Sequence, residues 1–177
     1  MGLEEFEERE SSGLRFISEF PVKVYVYDVD TAVIRKVHQP KERNFKKYLC
    51  QGETCKFCAK GDLPRKAFWL EVYDIEAKEN RILTGRQRLG QTLARQHKTL
   101  IEDGDEDGLN GKVIKIEKAS KYDFVVTPLK AKVTSKPQRE YLNLEQVVDN
   151  LIAKDDEEEE LDTDTPELDI EDEDIEL

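Results

Sequence analysis

The chain's three cysteines fall within nine residues, Cys50-Gln-Gly-Glu-Thr-Cys55-Lys-Phe-Cys58, and one of its two histidines, His38, lies twelve residues upstream of Cys50. Zinc in a structural site takes four nitrogen or sulfur ligands in a tetrahedron, and Cys-x₂-Cys is the spacing at which a tight turn aims two thiolates at one ion. Cys55 and Cys58 supply that turn, and Cys50 and His38 complete a Cys₃His shell around one structural Zn²⁺. Free thiols, or one disulfide with a cysteine left over, are the competing readings. The odd count argues against a disulfide framework. So does an opening, Met1-Gly-Leu-Glu-Glu, that has neither the basic nor the apolar region of a secretory signal, and a cytoplasmic location is expected. Redox chemistry is disfavoured because a thioredoxin-like Cys-x-x-Cys opens a helix, whereas Gly61 and Pro64 follow this one.

The same inventory argues against an enzyme. With the cysteines and His38 on a metal, no Ser/His/Asp or Cys/His pair remains, and a closed Cys₃His shell has no open position for substrate. A deaminase site needs His-x-Glu and Pro-Cys-x-x-Cys, but here Gln39-Pro40 follows His38 and Thr54 precedes Cys55. His97 reads as a surface residue on a helix.

Charge divides the chain. Residues 155–177 hold fifteen Asp and Glu with no Lys or Arg, and residues 1–10 hold five acids and one Arg. Those flanks hide a body that carries 27 basic residues against 20 acidic, so the overall net charge of −12 misleads about partners. The tail cannot bury enough apolar surface to offset its ordering entropy and reads as disordered. Its spaced Leu161, Leu168, Ile170, Ile175 and Leu177 suit docking to a partner protein. No apolar run approaches the length of a membrane span.

The elements that must position the site are mostly strands. Val22 to Asp30 alternates, with Val22, Val24 and Val26 toward a core and Tyr25 and Tyr27 on an open face; Thr31 to Val37 continues it through a bend. The basic excursion from His38 to Lys66 is too long for an ordered loop unless something holds it, which a zinc ion would do. Lys66 to Ile75 and Asn80 to Gly85 form a hairpin. From Arg86 to Leu100 the period becomes helical, with Leu89, Leu93 and Leu100 on one face and Thr84 a candidate cap. The polar loop Glu102 to Gly111 lacks the ligand spacing of an EF-hand. Lys112 to Lys118 and Tyr122 to Leu129 form a second hairpin, and Tyr141 to Lys154 an amphipathic helix with Asn143 as cap.

This order predicts a mainly β protein: a five-stranded OB-fold-like barrel with an inserted structural zinc loop, one helix between strands 3 and 4, and a short C-terminal helix. The divisions are a flexible acidic N-terminus (1–15), a nucleic-acid-binding domain (16–135) with a zinc subdomain (38–66), the amphipathic helix (136–154) and the acidic tail (155–177). Another small β-barrel carrying an inserted zinc ribbon is the alternative fold.

Single-stranded nucleic acid is held by cations along its phosphates and by aromatic faces under its bases. Such residues interleave here. Arg35, Lys36, Lys41, Arg43, Phe45, Lys46, Lys47 and Tyr48 precede Cys50; Lys56, Phe57, Arg65 and Lys66 surround and follow Cys58; Tyr25, Tyr27 and Trp69 lie on neighbouring strands, and Arg86 and Arg88 open the helix. Aromatics on strands also fill barrel interiors, and both roles are open for each ring. A flexible tail of charge −15 tethered to a basic body can occupy its groove until a polyanion displaces it. A merely solubilising tail is the other reading.

The chain resembles the zinc-containing single-stranded DNA-binding proteins of tailed bacteriophages, of the T-even helix-destabilising type. The matching residues are His38, Cys50, Cys55 and Cys58, then Gly61-Asp-Leu-Pro-Arg-Lys-Ala-Phe-Trp-Leu-Glu-Val-Tyr-Asp74 and Lys121-Tyr-Asp-Phe-Val-Val-Thr-Pro128. The ending Asp172-Glu-Asp-Ile-Glu-Leu177 is similar to the acidic tips of phage and bacterial single-strand binders. The resemblance implies a protein that coats and protects single-stranded DNA in replication, recombination or repair, with a tail that meets replication or recombination proteins in the host cytoplasm. The gap from Cys50 to Cys55 is shorter than in the T-even type, and an acidic opening replaces the basic segment that supports cooperative filaments. A transcription-regulatory or protein-interaction module, or an RNA-binding protein, is the competing functional reading.

Overall fold

A computed structural model describes residues 14–152 apart from 18, 44, 45, 132 and 142. Among them are eight strands: β1 (Phe16–Ile17), β2 (Val22–Val26), β3 (Val33–His38), β4 (Tyr48–Leu49), β5 (Arg65–Asp74), β6 (Glu79–Arg86), β7 (Val113–Lys118) and β8 (Phe124–Leu129). The helices are α1 (Lys56–Ala59), α2 (Gln87–Glu102) and α3 (Leu144–Leu151).

β2 and β3 are two halves of one bent strand, turned by a 3₁₀ segment at Val29–Thr31 whose start is capped by Asp28 accepting from the Asp30 amide. Both halves pair antiparallel with the long β5, β2 through Val24↔Asp74 to Val26↔Val72 and β3 through Val33↔Trp69 to Val37↔Arg65. β5 forms its hairpin with β6, while β2 also pairs with β7 and β7 with β8. The sheet is mixed and open. β8 pairs only with β7, and the outer edge of β6 takes β1 in parallel through Phe16↔Ile82. The expected closed five-strand barrel is therefore not present among the described residues, because the edge of β6 that closure would use is occupied by an N-terminal strand that the sequence pattern did not reveal.

Two cores share β5, since alternate residues of a strand point to opposite faces. On one face Phe68, Leu70 and Val72 join Val24, Val26, Leu83, Ile114 and Ile116, with α2 contributing Leu89 and Leu93. The helix sits close to the sheet: a Cβ at Gly90 would lie 3.2 Å from the Phe68 ring. On the other face Trp69, Ala67, Val33, Val37 and Ile82 are covered by Leu144, Val148 and Ile152 of the α3 segment. α3 begins at Asn143, whose side chain accepts from the Gln146 amide. α2 has no side-chain cap. Thr84 lies within β6, which runs straight into the helix. His97 is half-buried and its Nδ1 accepts from the Leu109 amide at 3.0 Å, pinning the acidic loop that precedes β7.

Tyr25 and Tyr27 do not stand on an open face. Both are buried with Val113 under Tyr73, Leu129 and Val133. The Tyr27 hydroxyl donates to Asn80 Oδ1, and Asn80 Nδ2 in turn donates to the Gln138 carbonyl at 2.8 Å. Burial first, then the charge of Glu71, pushes the Tyr27 phenol up to about 12, so it stays a proton donor at neutral pH.

The segment before α3 is fixed by a buried carboxylate. Glu71 is fully buried on β5; it accepts from the Glu140 and Tyr141 amides at 2.6 and 2.9 Å and pairs with Arg139 Nε at 3.1 Å. Arg139 also donates to Thr31 Oγ1 at 3.2 Å. Removing one partner of a buried pair strands the other charge. Arg139→Met is expected to cost about 3 kcal/mol, the low end for such a break because Arg139 keeps some solvent access. Urea unfolding checks this, and a loss below about 0.5 kcal/mol, within the ordinary range for surface changes, would show that the pair does not hold α3 in place.

Candidate metal centre and basic groove

His38 ends β3 with its side chain buried, and its backbone pairs with Tyr48 of β4. Cys50 leaves β4 with its amide donating to the Lys36 carbonyl at 2.9 Å. A 3₁₀ turn at Gly52–Thr54 then delivers Cys55 to the start of α1, which carries Cys58. The Cys-x-x-Cys does open a helix, contrary to expectation, but only one turn of it, ended by Gly61 at φ +83.

The four ligand atoms lie within 4.8 Å of one another. His38 Nε2 is 3.4 Å from Cys55 Sγ and 3.5 Å from Cys58 Sγ, and Cys50 Sγ is 3.7 Å from Cys58 Sγ. A tetrahedron with metal–sulfur bonds of about 2.3 Å and metal–nitrogen bonds of about 2.0–2.1 Å has ligand-to-ligand edges of about 3.5–3.8 Å. The residues fit a metal ion. Electrostatics points the same way: burial would raise the Cys55 thiol, but backbone N–H groups of Cys58, Gln51 and Phe57 outweigh it and draw it down to about 6. Cys58 moves oppositely, to about 11, through burial and then the hydrogen bonds and charges of Cys50 and Cys55. Three sulfurs this close cannot all ionise without a cation between them.

One supporting residue lay outside the sequence reading. Asp62 Oδ2 is 3.2 Å from His38 Nδ1, where a carboxylate accepting the Nδ1 proton leaves Nε2 facing the sulfurs. Its signal in the sequence is an acid just past the glycine that ends the Cys-x-x-Cys turn. Asp62→Ala is expected to weaken metal affinity by about 10–100-fold while leaving the stoichiometry unchanged, as measured by competition with a chromophoric chelator. Unaltered affinity would mean that Asp62 does not orient the ring.

The aromatics named in the sequence as stacking candidates are interior. Trp69 is 2% exposed, Tyr25 4%, Tyr48 1% and Phe57 5%, and Tyr27 is buried too. Tyr48 and Phe57 pack against the cysteines, and Phe57 also packs against the His38 ring. Cations cover several of these rings: Arg43 lies over Tyr48 and Phe57, Lys46 over Tyr48, and Lys47 over Trp69 with its ammonium 5.1 Å from the ring centre. Phe45 lies outside the described residues.

The basic residues divide. Arg35 turns to α3, where it pairs with Asp149 at 3.1 Å and Glu145 at 3.8 Å, and Arg88 pairs with Asp123 at 2.8 Å. Lys36 and Lys66 are exposed and directly opposite across β3 and β5, and Lys56 is half-buried on α1. Lys41, Arg43, Arg65 and Arg86 converge with Lys60 and Lys121 on a groove of about 900 Å³. Among the described residues Asp62 is the one acid in that lining, and His38 already engages it.

Among the described residues the groove contains one exposed aromatic, which the sequence pattern places only in a strand. Tyr122, 55% exposed in the β7–β8 turn, has Lys121 and Arg88 beside its ring. Its turn is held by Asp123, which accepts from Ser120 Oγ at 2.9 Å, and the Ser120 and Arg88 contacts keep the Asp123 carboxyl below its ordinary range.

No helix among the described residues is long and apolar enough to cross a membrane. No protein-family model, curated protein or solved structure matches the chain.

Proposed function

We propose that the protein is a non-catalytic, zinc-stabilised, sequence-tolerant single-stranded DNA-binding protein acting in replication, recombination or repair. The carrying observation is the groove itself, in which cations from four separated parts of the chain surround one exposed tyrosine. The strand order supports it. The bent β2/β3 strand, β5, β6, α2, β7 and β8 follow one another as the strands and helix of an OB-fold do, with the barrel left open. Oligonucleotides bind OB-folds between the loop joining strands 1 and 2 and the loop joining strands 4 and 5. Here those positions are the Cys/His excursion and the turn bearing Tyr122.

In this reading the metal is zinc, and its role is architectural. It holds the excursion that brings Lys41, Arg43 and Lys60 to the groove, where they meet Arg65 and Arg86 from the ends of β5 and β6 and Tyr122 from the β7–β8 turn. Partner recruitment by residues 155–177 rests on their sequence alone, since they lie outside the described residues.

Tyr122→Ala tests the reading. Loss of one base-stacking face is worth about 1–3 kcal/mol, so affinity for an oligo-dT is expected to fall about 5–150-fold without a change in melting temperature. Titrations with oligo-rU and duplex run in parallel. Equal affinity for duplex and single strand, or no binding to any of the three, would sink the proposal, and tighter binding to oligo-rU would move it to RNA.

A further inference from the structure

Beside the groove lies a smaller cleft of about 170 Å³ that shares Gln39, Arg65 and Arg86 with it and adds Lys47, Lys66 and Thr84. None of the residues lining it is acidic. We propose that this cleft is a discrete phosphate subsite, which takes one phosphate group of the strand through Lys47, Arg65 and Arg86 with the Thr84 hydroxyl as a neutral donor. The inference rests on the nucleic-acid reading of the groove and adds to it a defined anchoring point.

Two features call for an anion there. The first is an orphaned group: Thr84 Oγ1 is buried and has no hydrogen-bond partner among the described residues. A buried hydroxyl left unpaired costs about 1–3 kcal/mol, so its persistence at a cleft lined by cations calls for an acceptor that completes it. The second is Lys47, which is half-buried over Trp69 and whose ammonium is disfavoured first by burial and then by the Arg86 charge. An oxyanion satisfies both. Two guanidinium groups favour a planar or tetrahedral oxyanion, because their forked donors bind two of its oxygens at once.

Trp69, the chain's single tryptophan, supplies the readout, because an anion that draws Lys47 off its ring alters its fluorescence. Full-length protein is titrated with sodium phosphate and, at matched ionic strength, with sodium chloride, following both Trp69 emission and melting temperature. Phosphate is expected to shift both where chloride does not. Lys47→Met and Thr84→Val should each raise the phosphate midpoint about tenfold, the value of one hydrogen bond to a charged group. The melting-temperature readout keeps Lys47→Met informative even though it changes the surroundings of Trp69. Oligo-dT with a 5′-phosphate or a 5′-hydroxyl separates the sources: equal affinity assigns the subsite to the internal backbone, and tighter binding of the phosphorylated strand assigns it to the terminus.

Identical responses to phosphate and chloride, or unshifted midpoints in both variants, would overturn the subsite. If oligo-dT still bound, the groove reading would stand alone. A phosphate response without oligo-dT binding would uphold the anion site and remove the nucleic-acid reading.

Discussion

Purified protein is expected to carry one zinc per chain, and a strong chelator is expected to remove it together with single-strand binding and much of the thermal stability. Structural zinc in small domains contributes apparent free energies of about 10–16 kcal/mol, comparable to the whole stability of a domain. The described excursion offers little to replace it. Its apolar contacts are limited to Tyr48, Phe57 and the cysteines themselves. Without the ion, His38, fully buried among three sulfurs, and the charge on Cys55 would need water. The excursion should open while β5, β6, β7 and the α2 core persist at lower melting temperature. His38→Ala or Cys55→Ser should reproduce the chelated state. Absorption at cobalt-substituted ligand-field bands counts the thiolates, and elemental analysis counts the metal. A folded, metal-free protein that binds oligo-dT with unchanged affinity would remove zinc from the account altogether.

Reversing two cations that line the groove, Arg65→Glu with Arg86→Glu, should have the next largest effect. Each phosphate neutralised on a single strand contributes a slope of about −0.7 to the dependence of log affinity on log salt. If the six groove cations make four to six contacts, the wild-type slope is about −3 to −4, and affinity falls about 50–300-fold between 50 and 200 mM salt. The double reversal should reduce the slope by about 1.4 and cost at least a hundredfold at low salt. Both side chains are exposed, so melting should change little. A slope that stays put as affinity drops would mean that the loss is structural and that phosphates do not run past these arginines.

Much of the molecule was legible as pattern. The alternation from Val22 to Val26, the helical period through Leu89 and Leu93, and the Asn143 cap each reflect a single element's own periodicity. The Cys/His cluster was legible because few functions other than metal binding need that spacing. What stayed hidden depended on packing between distant residues. Nothing in Phe16-Ile17 announces a parallel pairing with β6 that occupies the barrel's closing edge. Tyr25 and Tyr27 alternate correctly with the valines, yet periodicity cannot say that Val113, Leu129 and Val133 will cover their face. The exposed tyrosine of the groove lay hidden for the converse reason. Tyr122 lies in a tight turn, where neither period applies and only the turn's placement beside the groove gives the ring its surroundings.

Val37 pairs with Arg65, so β3 and β5 form a hairpin whose connection is the entire Cys/His excursion, the 26 residues from Gln39 to Pro64. Bringing together the ends of so long a loop costs more entropy than a two-residue turn, and that cost precedes any reward from strand pairing. His38, the last residue of β3, and Asp62, which engages its ring from three residues before β5, sit at the neck. A metal ion that joined His38 to Cys50, Cys55 and Cys58 would act as a clasp that shortens the loop before the sheet exists. β5, the strand shared by both cores, should add later and more slowly in its absence, which makes the rate of refolding a measure of metal occupancy.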